Sequence, residues 1–413
     1  MRESIIDEAR RCLQCKNPVC RTGCPVNTPI KDAIGLFREN RISDAGKLLF
    51  DNNPLSIVCS LVCPQEKQCE GHCVLGVKAI PVPIGLIENY ISDYYLNIYE
   101  PEKVEKNGIK VAIIGSGPAG ITIAVILSRR GYDVTVFEGH DKIGGVMRYG
   151  IPEFRLPKSV LDRLKNVLIK CGVKIRPNTN IGSNLTVDDL QRDGYKAIFI
   201  GTGVWRPNKL GLKGESFASV SYAMEYLRNP DVYDLGNRVA VIGSGNTAMD
   251  VARTVLRHGI REVTLIYRKG EEDVKARKVE LDFALIDGAK ILFYKGVKEI
   301  VEDGLILCDT VKDENGNVSE VEGTEKLFPV DNVIIAAGQG PRSVIVNSTS
   351  GINVCNRGFV TVDECGRTTR EGIFASGDVV TGAKTVVEAV KVSKRVADAM
   401  DEYMQSLVKS EKQ

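Results

Sequence analysis

The sequence predicts an α/β protein behind an all-helical start, and three observations predict it. A strand–glycine turn–helix segment occurs twice, at "VAIIGSGPAG" and "VAVIGSGNTAM". A third strand-to-glycine step, "GIFASGDVV", lies near the far end of the chain. Eight of the twelve cysteines fall within the first 73 residues.

The cysteines come in two runs. Cys12, Cys15, Cys20 and Cys24 stand in "CLQCKNPVCRTGCP", and Cys59, Cys63, Cys69 and Cys73 in "CSLVCPQEKQCEGHC". The N-terminal "MRESIIDEARRC" is charged and has no apolar signal core, and no apolar run is long enough to span a bilayer, so the expected location is the cytoplasm. A reducing compartment argues against a disulfide framework and for metal binding. Pro25 and Pro64 each follow a cysteine, a pairing that recurs at iron–sulfur ligands. Two structural zinc sites are the plain alternative, since short knuckles within these runs also suit zinc. Cys59 and Cys63, and Cys69 and Cys73, are four apart, so on helices each pair would share a face. Between the runs, Leu36, Phe37, Ala45, Leu48 and Leu49 recur with helical period. Residues 1–107 therefore read as a small helical domain around metal centres.

In the first repeated segment, strand Val111–Ile114 leads into Gly115, Gly117, Pro118, Ala119 and Gly120, then a helix. Gly115 makes the tight turn, Gly117 lets the backbone approach a pyrophosphate, and Gly120 lets helix and strand pack closely. The next strand, "DVTVFE", ends in Glu138, placed to accept hydrogen bonds from ribose hydroxyls. Near the C-terminus a strand, Ile373–Ala375, delivers Gly377 and Asp378 before a helix starting near Thr385. Together with the first turn this reads as the far half of an FAD site.

The second copy has strand Val239–Ile242, then Gly243, Gly245 and Ala248. Its following strand ends in Tyr267-Arg268-Lys269, where the first copy has Glu138. A basic pair there suits a 2′-phosphate and favours NADP over NAD, unless Glu271, Glu272 and Asp273 neutralise it. "DENGN" (Asp313 to Asn317) reads as a hairpin turn. The simplest arrangement is two Rossmann-like domains, an NADP domain at 236–330 inserted in an FAD domain split into 108–235 and 331–413. A net charge of +2 gives no nucleic-acid surface and no polybasic membrane patch.

Taken together, both cysteine runs, "GSGPAG", "GGVMRYGIPEFRLP", "GSGNTAMD", "YRKG" and "GIFASGDVV" resemble the glutamate synthase small-subunit family over nearly the whole chain. That family includes the N-terminal half of dihydropyrimidine dehydrogenase and its separate bacterial subunit. The resemblance implies FAD, NADP(H) and two [4Fe–4S] clusters. One cluster would take Cys12, Cys15, Cys20 and Cys73. The other would take Cys24, Cys63, Cys69 and Glu88, from "IGLIENY", with Cys59 a bystander; the alternative exchanges Glu88 for Cys59. For FAD the matching residues are Gly117, Pro118, Ala119, Glu138, Gly145, Val146, Arg155, Asp378 and Thr385. For NADP they are Gly245, Asn246, Thr247, Arg268, Lys269 and Lys275, in a stretch "YRKGEEDVKA" closer to the dehydrogenase form. Hydride would pass from NADPH to flavin without a protein acid or base, in keeping with three histidines (His72, His140, His258) that form no triad in the sequence. The acceptor would lie outside the chain: a separate catalytic subunit in a hetero-oligomer, or a ferredoxin. A thioredoxin-reductase-like enzyme is disfavoured because Cys308 is alone between 236 and 330. A zinc-stabilised nucleotide sensor is the non-enzymatic rival.

Overall fold

The computed structural model describes residues 2–410. The chain divides into two compact units. One runs up to Met147, then takes Glu153–Val204 and the chain from Gly340 on; the other is Arg148–Pro152 with Trp205–Gln339.

The first unit begins with short helices. Those at Val19–Gly23, Ile30–Arg38 and Ile84–Ile98 each start directly after a proline, Pro18, Pro29 or Pro83, whose ring ends the preceding segment. Ile30, Ala33, Ile34 and Phe37 follow the helical period and are buried, so one face of their helix turns inward. It meets Ala45 and Leu49 of Ile42–Asn52 and Ile87 and Ile91 of Ile84–Ile98 in one apolar core. Leu36 and Leu48 lie half-buried at its margin. Gly46 lets two helices close up: a β-carbon there would stand 2.4 Å from that of Tyr95.

The helical expectation holds for one cysteine pair only. Cys59 lies in the helix Ser56–Val62 and Cys63 caps it. Cys69 lies instead in a turn and Cys73 just before the short 3-10 helix Val74–Val77, because the Gln65 carbonyl gathers the N–H groups of Gln68, Glu70 and Gly71 and folds the chain back. A β-carbon at Gly71 would strike the Glu66 carbonyl at 2.2 Å.

The same unit holds a parallel sheet in the order Ile373–Ala375, Tyr195–Ile200, Lys110–Ile114, Asp133–Phe137, Lys174–Arg176. Its central strands are buried almost throughout, as a sheet covered on both faces requires. Helix Pro118–Arg129 follows the first glycine turn and packs against the C-terminal helix Val386–Ser410. The N-terminal helices are tied to this layer by Arg129–Asp51 (2.7 Å) and Arg163–Asp93 (2.6 Å), and by Lys170 Nζ donating to the Tyr99 carbonyl (2.8 Å).

The second unit has a parallel sheet in the order Val220–Tyr222, Asn332–Ile335, Arg238–Ile242, Glu262–Ile266, Lys290–Leu292. An antiparallel layer follows, with Gly304–Lys312 paired to Lys295–Val301, Val318–Glu320 and Lys326–Pro329. Lys312 faces Val318 across the Asp313–Asn317 turn, where Gly316 has φ +81°. The sequence drew this unit at 236–330. It is wider because Val220–Tyr222 and Asn332–Ile335 hydrogen-bond into this sheet rather than the other. Among the described residues no helix is long and apolar enough to cross a membrane.

Candidate functional site

The first glycine turn sits at the carboxyl end of the strand Lys110–Ile114. Gly115 N donates to the Phe137 carbonyl (2.8 Å) and has φ +98°, with space denied to a side chain by the Gly201 carbonyl at 2.5 Å. A β-carbon at Gly120 would stand 2.0 Å from the Gly115 carbonyl. Gly117 is different: nothing lies within 4 Å of where its β-carbon would be. Here the protein leaves room in front of a helix N-terminus, where backbone N–H groups suit a pyrophosphate. Pro118 and Ala119 open that helix, Pro118 in its first turn.

Glu138 follows the neighbouring strand and is 5% exposed. Its carboxylate accepts from Ser116 N (3.0 Å), from the Ser116 hydroxyl, and from His140 N (2.8 Å) and Nδ1 (2.9 Å). Burial opposes ionisation, but the hydrogen bonds from His140 and Ser116 outweigh it and hold the carboxyl below its usual range. Sequence reasoning placed Glu138 but missed Ser116 and His140, which fix its orientation.

The distant segments meet this turn. Gly145 has φ +52°, and a β-carbon there would stand 2.9 Å from Gly117 Cα. Half-buried Val146 opens the helix Val146–Tyr149, and Arg155 is half-buried. A β-carbon at Gly377, where φ is +75°, would lie 3.2 Å from that of Ala119. The C-terminal step is therefore brought to the head of the first fingerprint helix. Asp378 accepts from Lys384 N (3.2 Å), and burial raises its carboxyl to about 6. Thr385 and Glu388 form a reciprocal cap: the Thr385 hydroxyl donates to Glu388 Oε2 (2.6 Å) and accepts from Glu388 N (3.3 Å).

The second turn repeats the design. Gly243 N donates to the Ile266 carbonyl (3.2 Å), φ is +147°, and the Ala336 carbonyl lies 2.6 Å from a β-carbon built there. Gly245, like Gly117, has open space. Asn246 begins the helix Asn246–Arg257, with Thr247 half-buried behind it, and Asn246 Oδ1 accepts from Arg277 N (2.9 Å). Arg277, beside the turn, had no sequence signal that singled it out. Arg268 and Lys275 are exposed, whereas Lys269 Nζ donates to the Gly316 carbonyl (3.1 Å) of the hairpin. Two of the nearby acids have other partners: Lys312 lies 2.6 Å from Asp273 and 3.7 Å from Glu272.

The eight clustered cysteines form two groups. Cys12, Cys15, Cys20 and Cys73 line one cavity with Ile30, Ile34 and Ile84, open to solvent on one side. Burial pushes the Cys20 thiol up to about 11, and charge on Cys12, Cys73 and Cys15 adds to this. Such thiols ionise readily only when cations stand among them, which is the condition an iron–sulfur cluster provides. The second group is Cys24, Cys59, Cys63, Cys69 and Glu88. Contact with Cys59, burial, and the charges of Glu88 and Cys24 raise the Cys63 thiol; burial, Glu88 and Cys24 are among the causes raising that of Cys69. Burial alone raises the Glu88 carboxyl to about 8. Cys59 and Glu88 thus both stand at this group. Among the described residues no three His, Cys, Asp or Glu side chains converge on a single-ion site. None of the twelve cysteines forms a disulfide.

Family models match both regions. Residues 1–99 match "dihydropyrimidine dehydrogenase domain II, 4Fe-4S cluster", and residues 109–393 match "pyridine nucleotide-disulphide oxidoreductase". The chain is 34% identical to the glutamate synthase [NADPH] small chain of Escherichia coli, over 96% of this chain and 91% of that one. It is 32% identical to the NAD-dependent dihydropyrimidine dehydrogenase subunit PreT of Escherichia coli, over 97% and 94%. The fold resembles FprA from Mycobacterium tuberculosis (TM-score 0.63, 18% identity, 74% of this chain and 86% of that one). With room for phosphates before both fingerprint helices and a four-thiol cavity in the N-terminal helices, the chain belongs to the pyridine nucleotide-disulphide oxidoreductase family and, within it, to the glutamate synthase small-chain group of FAD- and NAD(P)H-dependent oxidoreductases with a 4Fe–4S domain.

Proposed function

We propose that the chain is an electron-input subunit, taking electrons from NADPH and delivering them singly to a separate protein. FAD and two [4Fe–4S] clusters, when bound, supply hydride acceptance and one-electron transfer. The chain's own residues bind, space and shield them. Gly115, Gly117 and Gly120 admit the flavin pyrophosphate, with Pro118 and Ala119 at the helix head. Glu138 holds the ribose, while Gly145, Val146, Arg155, Gly377, Asp378 and Thr385 close the far side. Gly243, Gly245, Asn246 and Thr247 receive the nicotinamide dinucleotide, and Arg268, Lys269 and Lys275 favour a 2′-phosphate. Cys12, Cys15, Cys20 and Cys73 hold one cluster; Cys24, Cys63, Cys69 and Glu88 hold the other.

The observation that carries this reading is the four-thiol cavity within the unit that also contains the first nucleotide turn. The cavity has an apolar rim, with Leu13, Val19 and Val74 exposed, a surface suited to desolvation by a protein partner. The partner is a catalytic subunit of the kind glutamate synthase or dihydropyrimidine dehydrogenase carries, or a ferredoxin, and the assembly is a hetero-oligomer. Cysteines free of disulfides throughout fit the cytoplasm.

Anaerobic purification with flavin and iron analysis tests the reading. About eight irons and one FAD per chain are expected, with NADPH reducing a one-electron acceptor such as ferredoxin. Two zincs and no iron would sink it.

A further inference from the structure

A line of hydrogen-bond donors runs from the C-terminal helix to the second group of thiols. Lys394, on Val386–Ser410, donates from Nζ to the Asn52 carbonyl (2.7 Å) and to Asn52 Oδ1 (3.2 Å). Asn52 Nδ2 in turn donates to Thr28 Oγ1 (3.4 Å). Thr28 is 3% exposed, and its hydroxyl lies 3.2 Å from Cys24 Sγ. Between a free thiol and a hydroxyl, either group can donate. A metal-bound thiolate has no proton, so the hydroxyl then donates to sulfur. Every donor in the line then points the same way, from an ammonium toward a sulfur. The three residues come from different parts of the chain and make no such line by helical or strand repetition.

We propose that Thr28, Asn52 and Lys394 are positioning residues that raise the reduction potential of the centre holding Cys24. Reduction adds negative charge to a cluster and its sulfurs. A hydrogen bond to one sulfur, backed by a polarised amide and a cation, favours the more negative state. The inference rests on the reading of Cys24 as a cluster ligand. The helix that carries Lys394 begins just after Thr385, nine residues or about 14 Å of helical rise away. The line therefore eases electron entry at the centre beside the helix that follows the far half of the flavin site.

Anaerobic redox titration of the holoenzyme, followed by electron paramagnetic resonance, reads both clusters. Thr28→Val keeps the shape and removes the donor; Lys394→Met keeps the stem and removes the charge; Lys394→Arg keeps the charge. The two removing variants are expected to shift one and the same cluster to more negative potential and leave the other in place. Lys394→Arg should stay close to the parent, and Lys394→Met should add less in the Thr28→Val background than alone. Unchanged potentials with full iron content in both removing variants overturn the proposal, as does an equal shift of both clusters. Should Thr28→Val fail to fold, Lys394→Met reads the same centre from outside the cysteine core. Iron in Cys24→Ala separates the two failures: full iron there removes the ligand reading itself, whereas lost iron with unshifted potentials removes only the relay.

Discussion

His140 Nδ1 lies 2.9 Å from Glu138 Oε1, and the His140 backbone N–H reaches the same oxygen at 2.8 Å. With Ser116 on the other oxygen, the carboxylate is held in one orientation by the protein itself. Replacing it with an amide turns two donors toward donors. Glu138→Gln should cost about 1.5–3 kcal/mol and release flavin, read as the ratio of flavin to protein absorbance after gel filtration. Because the folded carboxyl is held below its usual range, its contribution is present above the unfolded value near 4.5. It is lost as pH falls through the depressed folded value.

Two glycines three positions apart should fail differently. Gly117→Ala adds a methyl group to open space, so the flavin-free protein should melt as the parent does while FAD affinity drops. Gly120→Ala drives a methyl group against the Gly115 carbonyl and should destabilise the fold itself by about 1–3 kcal/mol or more. Melting curves with and without FAD separate the two.

Asp378 has the opposite sign to Glu138. Burial raises its carboxyl to about 6, so the folded state keeps a proton that the unfolded chain gives up near 3.8, and stability falls as pH rises between those values. In flavin-free protein, Asp378→Asn should therefore raise Tm at pH 8 more than at pH 4, by the equivalent of about 1–3 kcal/mol. In holoprotein it should weaken flavin retention.

Arg268→Ala combined with Lys269→Ala should lower kcat/KM for NADPH roughly 10- to 100-fold, the size of one charge-assisted contact or two, and leave NADH nearly unchanged. Equal loss with both nucleotides would show a structural effect, for which the Lys269 bond to Gly316 is the obvious source.

The proposed ligand set gives the last position at the second centre to Glu88 rather than to Cys59. Cys59→Ser should retain about eight irons per chain and Glu88→Ala about four, by colorimetric iron assay. Asn53 Nδ2, 3.3 Å from Cys59 Sγ, is the contact Cys59→Ser would test in a protein with full iron.

Much of the fold was legible because it is local. Strand, glycine turn and helix are contiguous in both copies, and Ile373–Ala375 lies where its three apolar residues put it. The domain boundary was not legible: Val220–Tyr222 is only three residues long, and nothing in Asn332–Ile335 tells which of two similar sheets it will join. The separation of Cys69 from Cys73 was equally hidden. Their spacing fits a helix, and only the gathering of N–H groups on the Gln65 carbonyl overrides it. The place of Glu138 beside the first glycine turn follows from its distance to Gly115, but the Thr28–Asn52–Lys394 line joins residues that no spacing rule relates.

The edge strand Ile373–Ala375 completes a sheet whose next strand ends at Ile200. A ribosome needs roughly 10–35 s to make the intervening stretch at about 5–20 residues per second. Throughout that interval the nascent chain already displays its thiols and its first dinucleotide turn, yet has an unpaired sheet edge and no Asp378. Until Ile373–Ala375 is made, the strand Tyr195–Ile200 has no partner on that side, so this sheet closes only at the end of synthesis.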